Sequence, residues 1–163
     1  MKEEYKQSLA KIELEKETLK KSFIKLKLKK PKELDAAFHS LHTKAFQKID
    51  CLSCANCCKT TSPIFRDIDI KRISKYMRMK ENQFIDSYLK MDEDSDYVLK
   101  QSPCTFLGID NKCSIYEYRP LACREYPHTD RKNMHQILDL TLKNTEICPA
   151  VARIVEEISA KFK

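Results

Sequence analysis

Glycine is almost missing from this chain: 163 residues contain one, Gly108. Phosphate-binding loops of the G-x-G-x-x-G and G-x-x-x-x-G-K-[ST] kinds need glycine, because a Cβ would hold the backbone away from the phosphate. A Rossmann or P-loop nucleotide site of the usual form is therefore excluded. Long apolar runs are missing too, and nothing approaches the ~20 consecutive apolar residues that span a bilayer. The opening Met1-Lys-Glu-Glu-Tyr-Lys-Gln has no apolar core of a secretory signal, so none is expected and the expected location is cytoplasmic. In a reducing cytosol, clustered cysteines read as metal ligands rather than disulfides.

What the chain does have is charge and cysteine. Charged residues make up 34% and the formal net charge is +7, a figure that counts every thiol as neutral. A tetrathiolate zinc or an oxidised four-cysteine cubane carries about −2, so two such sites would bring the balance to roughly +3. Basicity alone is thus a weak sign of nucleic acid. Four of the eight cysteines lie in Cys51-Leu-Ser-Cys54-Ala-Asn-Cys57-Cys58, and the rest are Cys104, Cys113, Cys123 and Cys148. Thiolates two residues apart can turn back onto one centre, so two successive C-x-x-C steps are a strong metal signal. Cys58 cannot easily share a centre with its immediate neighbour; it joins a second one or stays outside the shell.

Taken in order, residues 2–29 read as one lysine-rich helix, with Tyr5, Ile12, Leu19 and Leu26 recurring every seven residues and Leu9 and Phe23 alongside. Lys16 and Lys30 interrupt that seam, which favours packing on the chain's own domain, with a protein partner as the second reading. Seven lysines and no acid lie from Lys20 to Lys32; such a run is first a solvated face and only second a nucleic-acid contact. Residues 1–30 are accordingly set apart as a lysine-rich arm, and 31–163 as the cysteine-rich domain. Pro31 opens a helix whose stripe is Leu34, Ala37, Phe38, Leu41, Ala45 and Phe46. His39 and His42 lack the i, i+4 spacing of a helical metal pair. Short helices are expected from a cap at Asp67 and around Phe84 to Leu89. The acidic loop Asp92–Asp96 lacks the glycine and closing glutamate of a calcium loop.

Tyr97–Leu99 reads as a strand, and residues 104–107 and 112–115 as a hairpin around Gly108-Ile-Asp-Asn111 that brings Cys104 and Cys113 together. Pro120 can start a short helix carrying Cys123. Residues 131–142 lean towards helix. Cys148-Pro149 opens a last helix with Val151, Ile154, Val155 and Ile158 on one face, whose dipole is expected to favour a Cys148 thiolate. The fold class expected is mainly α with a small β-ribbon.

The motif Cys51-x-x-Cys54-x-x-Cys57-Cys58, then Pro103-Cys104-Thr-Phe-Leu107, Cys113-Ser-Ile-Tyr116-Glu-Tyr118-Arg119-Pro120-x-x-Cys123-Arg124-x-Tyr126-Pro127 and Cys148-Pro149, resembles the cysteine-cluster family of zinc- or iron-chelating domains, some of them flagellin N-methylase-like. Residues 47 to 160 carry the resemblance, and every cysteine falls on it. It implies a metal or iron–sulfur domain; lysine methylation belongs to larger relatives, so an iron–sulfur-dependent protein-modifying enzyme is the alternative to a structural or redox module.

Spacing bears on the metal as well. A ferredoxin run is C-x-x-C-x-x-C-x-x-x-C-P; here the first three places match, the fourth is Thr61, and the Cys-Pro pair is displaced to Cys148-Pro149. A 4Fe–4S centre on Cys51, Cys54 and Cys57, completed by Cys104, Cys113, Cys123 or Cys148, is the first expectation. Zinc in two four-cysteine sets is the alternative. Arg119 and Arg124 are expected either beside the thiolates or in ion pairs with Glu117 or Glu125. Tyr116, Tyr118 and Tyr126 are expected in the core or as lid aromatics, and His128 ranks above His135 among histidines with a functional role.

Overall fold

The computed structural model describes residues 1–162. Its elements in chain order are α1 (Glu3–Leu14), α2 (Lys16–Leu26), α3 (Pro31–Phe46), α4 (Cys51–Cys54), α5 (Asn56–Thr60), α6 (Asp67–Tyr76), α7 (Glu81–Tyr88), β1 (Leu89–Met91), β2 (Tyr97–Leu99), α8 (Leu121–Glu125), α9 (Leu138–Asn144) and α10 (Pro149–Lys161), with 3₁₀ turns at Tyr116–Tyr118 and Met134–Gln136. The fold is mainly α with a small antiparallel ribbon, as expected. Among the described residues no helix is long and apolar enough to cross a membrane. The chain divides into two compact units, one of residues 1–54 with 127–163 and one of residues 55–126.

The first unit is helical. α10 is its centre: α1, α2, α3 and α9 all pack on it. The sequence placed one apolar face on α10, yet Ala150, Ala152 and Ser159 are buried along with Val151, Ile154, Val155 and Ile158. Small side chains on the remaining faces let neighbouring helices close round it, as befits a helix buried nearly all round. The seven-residue seam lies in this core, with Tyr5, Ile12, Leu19, Phe23 and Leu26 all buried. The expected single N-terminal helix is two, because Glu15 leaves helical geometry (φ −92°, ψ 2°). The break re-aims the second half, so that both halves of the seam reach α10. Lys11–Glu156, Lys16–Glu146 and Lys44–Glu157 pairs fringe the packing, each worth little at an exposed surface. Two members of the lysine run are paired, Lys20 with Glu17 and Lys27 with Asp139.

On α3, Leu34, Ala37, Phe38 and Ala45 are buried, and Leu41 and Phe46 pack at the edge. Phe38 is fully enclosed. Phe38→Ala should therefore cost about 3–5 kcal/mol, since a large void would remain. Urea titration should show a lowered midpoint at unchanged slope; a midpoint within error of wild type would show that the core can collapse onto the gap. His39 and His42 are satisfied locally, His39 Nε2 with the Arg131 carbonyl at 2.9 Å and His42 Nδ1 with Thr129 Oγ1 at 2.9 Å.

The second unit is built from short pieces around Phe65, Ile70, Ile73, Phe84, Leu89, Leu99, Phe106 and Ile115. β1 and β2 pair antiparallel in the register Leu89↔Leu99, Lys90↔Val98 and Met91↔Tyr97. The hairpin expected at 104–115 is reduced to one bridge, Leu107↔Cys113, closed by Gly108 N donating to Lys112 O at 2.8 Å. The chain's one glycine sits at this turn, where a Cβ would stand 2.7 Å from Asp110 Oδ1 and 3.3 Å from the Lys112 carbonyl oxygen. α6 starts one residue earlier than a cap at Asp67 implies. Arg66 is its N-cap, and Asp69 reaches back to accept from the Arg66 backbone N–H at 3.2 Å. In the acidic loop, Asp92 Oδ1 accepts from the backbone N–H groups of Asp94 and Asp96, so this aspartate serves the turn.

Candidate metal centre

The division into units sorts the cysteines. Cys51, Cys54 and Cys148 belong to the first unit, and Cys57, Cys58, Cys104, Cys113 and Cys123 to the second. The boundary falls inside the motif, between Cys54 and Ala55, where Ala55 takes a left-handed conformation (φ 48°) uncommon for a residue with a Cβ. The trio Cys51, Cys54 and Cys57 that spacing alone groups together is thus shared between two units. All eight are thiols, with no disulfide among the described residues.

Backbone positions the five sulfurs of the second unit. Cys57 and Cys58 lie on α5 with their sulfurs 4.0 Å apart. Cys104 N donates to Cys58 O at 2.8 Å, which ties the loop at 104 to α5. The Leu107↔Cys113 bridge then brings Cys113 back beside Cys104, and α8 carries Cys123. Electrostatics show that the sulfurs feel one another. Cys123 is pushed up to about 12, first by burial and then by Cys58, Cys104 and Cys113. Cys104 and Cys113 are raised chiefly by burial, with Cys58 adding to both. Cys58 goes the other way, to about 7: its hydrogen bond with Cys57 lowers it most, against burial, and Arg119 and Lys59 add to the lowering.

Groups that favour negative sulfur surround the set. The Phe106 and Leu107 N–H groups donate to Cys104 and the Ile115 N–H to Cys113. Arg119 acts on Cys58, Cys113 and Cys123, and its guanidinium lies 3.5 Å from the centre of the Tyr116 ring. Of the two arginines in the motif, Arg119 is the one beside the thiols; Arg124 is exposed on α8. Tyr116 and Tyr118 are not core residues. Both are exposed, Tyr118 stacking on Tyr76 at 4.1 Å between ring centres.

One pair was not picked out from the sequence. Asp69, fully buried, accepts from Arg72 Nη2 at 2.7 Å and from Leu121 N at 3.2 Å. Arg72 also donates to the Tyr118 and Arg119 carbonyls at 3.3 and 2.8 Å. Together they hold the strand of chain that presents Arg119 and leads into α8. The i, i+3 spacing of Asp69 and Arg72 was the only signal, and surface pairs share it.

In the first unit, Asp50 shapes the turn that carries Cys51 and Cys54. Its carboxylate accepts from Leu52 N at 2.9 Å and Ser53 N at 3.1 Å. Cys54 is buried in the same core that Cys148 packs against, while Cys51 is exposed. Cys148 caps α10, yet burial lifts it to about 12, outweighing the Val151 and Ala150 N–H groups that donate to it; Cys51 and Cys54 raise it further. The dipole expectation fails because desolvation of the charged form exceeds what the helix end supplies. His128 takes a left-handed backbone conformation (φ 64°). His135 Nδ1 is buried without a hydrogen-bond partner among the described residues.

Among the described residues, no three His, Cys, Asp or Glu side chains are grouped closely enough to hold a metal ion as they stand. The donor chemistry fits a thiophilic metal nonetheless: sulfurs gathered within each unit, backbone N–H groups aimed at three of them, and a guanidinium beside three. Such donors offset the negative charge of ligated thiolates. This is a cysteine-rich metal-chelating domain. The family model CxxCxxCC, Putative zinc- or iron-chelating domain, matches residues 50–149, and the chain belongs to that family. No curated protein and no solved structure matches it.

Proposed function

We propose that the protein is a thiolate metal module of structural or redox type whose group is an iron–sulfur centre. The observation that supports this reading is the neighbourhood of Cys58 on α5, Cys104 and Cys113 on the loop that Cys104 N ties to Cys58 O at 2.8 Å, and Cys123 on α8, whose charges act on one another. Four thiolates are the ligand set of a cubane, and hydrogen bonds to sulfur tune its potential. When bound, the group would supply one-electron chemistry or a structural staple. The chain's own residues do the rest: Phe106, Leu107 and Ile115 donate to sulfur, and Arg119 balances charge.

Protein purified without oxygen should be brown, with broad absorbance near ~400 nm, and should contain iron and acid-labile sulfide. Colourless protein carrying zinc would replace the metal and keep the chelating site. Absence of any bound metal under anaerobic purification and reconstitution would end the proposal.

A further inference from the structure

We infer that α2 and the turn after it dock the protein on an anionic lipid surface, Ile24 and Leu28 entering the headgroup layer while the lysines around them meet acidic headgroups. The inference goes beyond metal chelation and rests on a face of the first unit that the proposed function does not use. Leu19, Phe23 and Leu26 turn inward to the core. Ile24 and Leu28, four residues apart, share the opposite side, where they are 64% and 84% exposed. Leu28 lies beyond the end of α2, but its N–H donates to Lys25 O at 3.1 Å and that of Lys29 to Leu26 O at 3.1 Å, so the chain keeps turning through it.

Seven lysines and no acid run from Lys20 to Lys32. Glu17 engages Lys20, Asp139 engages Lys27, and Lys29 lies 5.2 Å from the centre of the Phe162 ring. Lys21, Lys25, Lys30 and Lys32 are exposed and have no ion pair among the described residues. Against an acidic bilayer both parts of this face gain. The ammonium groups are drawn to the negative surface, and the aliphatic pair leaves water for the boundary between headgroups and acyl chains. Lysine suits the geometry, since its stem lies along apolar surface while its head reaches outward. Composition selects lipid over a macromolecule. Nucleic-acid faces use arginine forks and stacking aromatics; this stretch has no arginine, and its one aromatic, Phe23, is buried. The centres of protein interfaces are depleted in lysine, whereas lysine is the residue that surrounds Ile24 and Leu28.

Co-sedimentation tests this with the full chain as purified without oxygen, and vesicles of two parts phosphatidylcholine to one part phosphatidylserine. The protein should pellet with these vesicles, stay in solution with phosphatidylcholine alone, and be released as added salt shortens the screening length. Lys21→Gln and Lys25→Gln should each weaken binding about fivefold, the factor expected per lysine near an acidic bilayer. Ile24→Ser with Leu28→Ser leaves the charge unchanged and should weaken binding at least about tenfold, by removing the apolar contact. All four side chains are exposed, so circular dichroism should not change. The chain has no tryptophan, so Leu28→Trp supplies a single reporter whose emission should move to the blue on the acidic vesicles. No pelleting with the acidic vesicles, or equal pelleting with phosphatidylcholine alone, overturns the inference. An unshifted emission, or a serine variant that binds like wild type, overturns it too, since lysines alone would then account for binding. Tighter binding to a single-stranded oligonucleotide than to the vesicles would make the face a nucleic-acid contact instead. Each of these results leaves the metal content, and with it the proposed function, untouched.

Discussion

Removing the metal from the full chain is expected to unfold residues 55–126 while residues 1–54 and 127–162 keep their helices. Beyond α6 and α7, of ten and eight residues, and the eight-residue core they pack on, the second unit is made of short pieces. Its ribbon has three residues per strand, α5 and α8 have five residues each, and its core is a handful of side chains. Helices that short do not form alone, and small cores leave thin margins without a staple. A thiolate-bound structural metal contributes about 10 kcal/mol or more of apparent binding free energy, enough to decide whether such a unit folds. The first unit, by contrast, rests on helices of 11 to 16 residues packed round α10. Hydrogen exchange read by mass spectrometry, with and without chelator under reducing anaerobic conditions, checks this segment by segment. Unchanged protection over residues 55–126 would show that the metal is not part of that unit's stability.

The second large effect is expected at Asp69. Asp69→Ala should destabilise the second unit by about 3 kcal/mol, since it removes the wholly buried acceptor shared by Arg72, Arg66 N and Leu121 N. Burial works against the Asp69 carboxylate, but hydrogen bonds from Arg72, Arg66 N and Leu121 N together hold its pKa below the usual value. Because the folded-state value is depressed, the stabilisation is complete above the unfolded value of about 4 and is lost only as pH falls below it. Between pH 8 and 5 the gap between wild type and variant in melting temperature should therefore stay flat. A gap that shrank across that window would assign the effect to another group. Metal content should fall too, because Asp69 holds Leu121 N and Arg72 holds the carbonyls of Tyr118 and Arg119, just ahead of Cys123. A variant with lowered melting temperature but full metal content would confine the pair to a structural role.

Local patterns were legible where a residue's neighbours in sequence are also its neighbours in space. The stripe of α3, the seam from Tyr5 to Leu26, the strand at Tyr97 and the proline starts at Pro31 and Pro149 follow from periodicity and cap chemistry alone. Errors came where a long-range term won. Glu15 breaks the N-terminal helix because both halves must reach α10, and no local residue announces that. Cys148 reads as a natural thiolate from its cap position, yet the protein around it removes the water on which a thiolate depends. Tyr116 and Tyr118 have the composition of core residues but lie on a 3₁₀ turn at the surface.

What the sequence by itself determined is the kind of chemistry: eight cysteines at metal spacing, one glycine and no nucleotide loop, on a mainly helical chain. Those are properties of residue type and short-range spacing, and they survive any rearrangement of the fold. Which cysteines keep company was decided only by tertiary structure. Cys148 packs against the core that holds Cys54 because α10 is the central helix of its unit, and Cys104 is tied to Cys58 because its backbone N–H donates to the Cys58 carbonyl. Ala55, in a left-handed conformation, stands at the boundary between the two units, a division that the spacing of the motif conceals. Spacing limits which sulfurs can meet, but the path of the backbone between them selects which ones do.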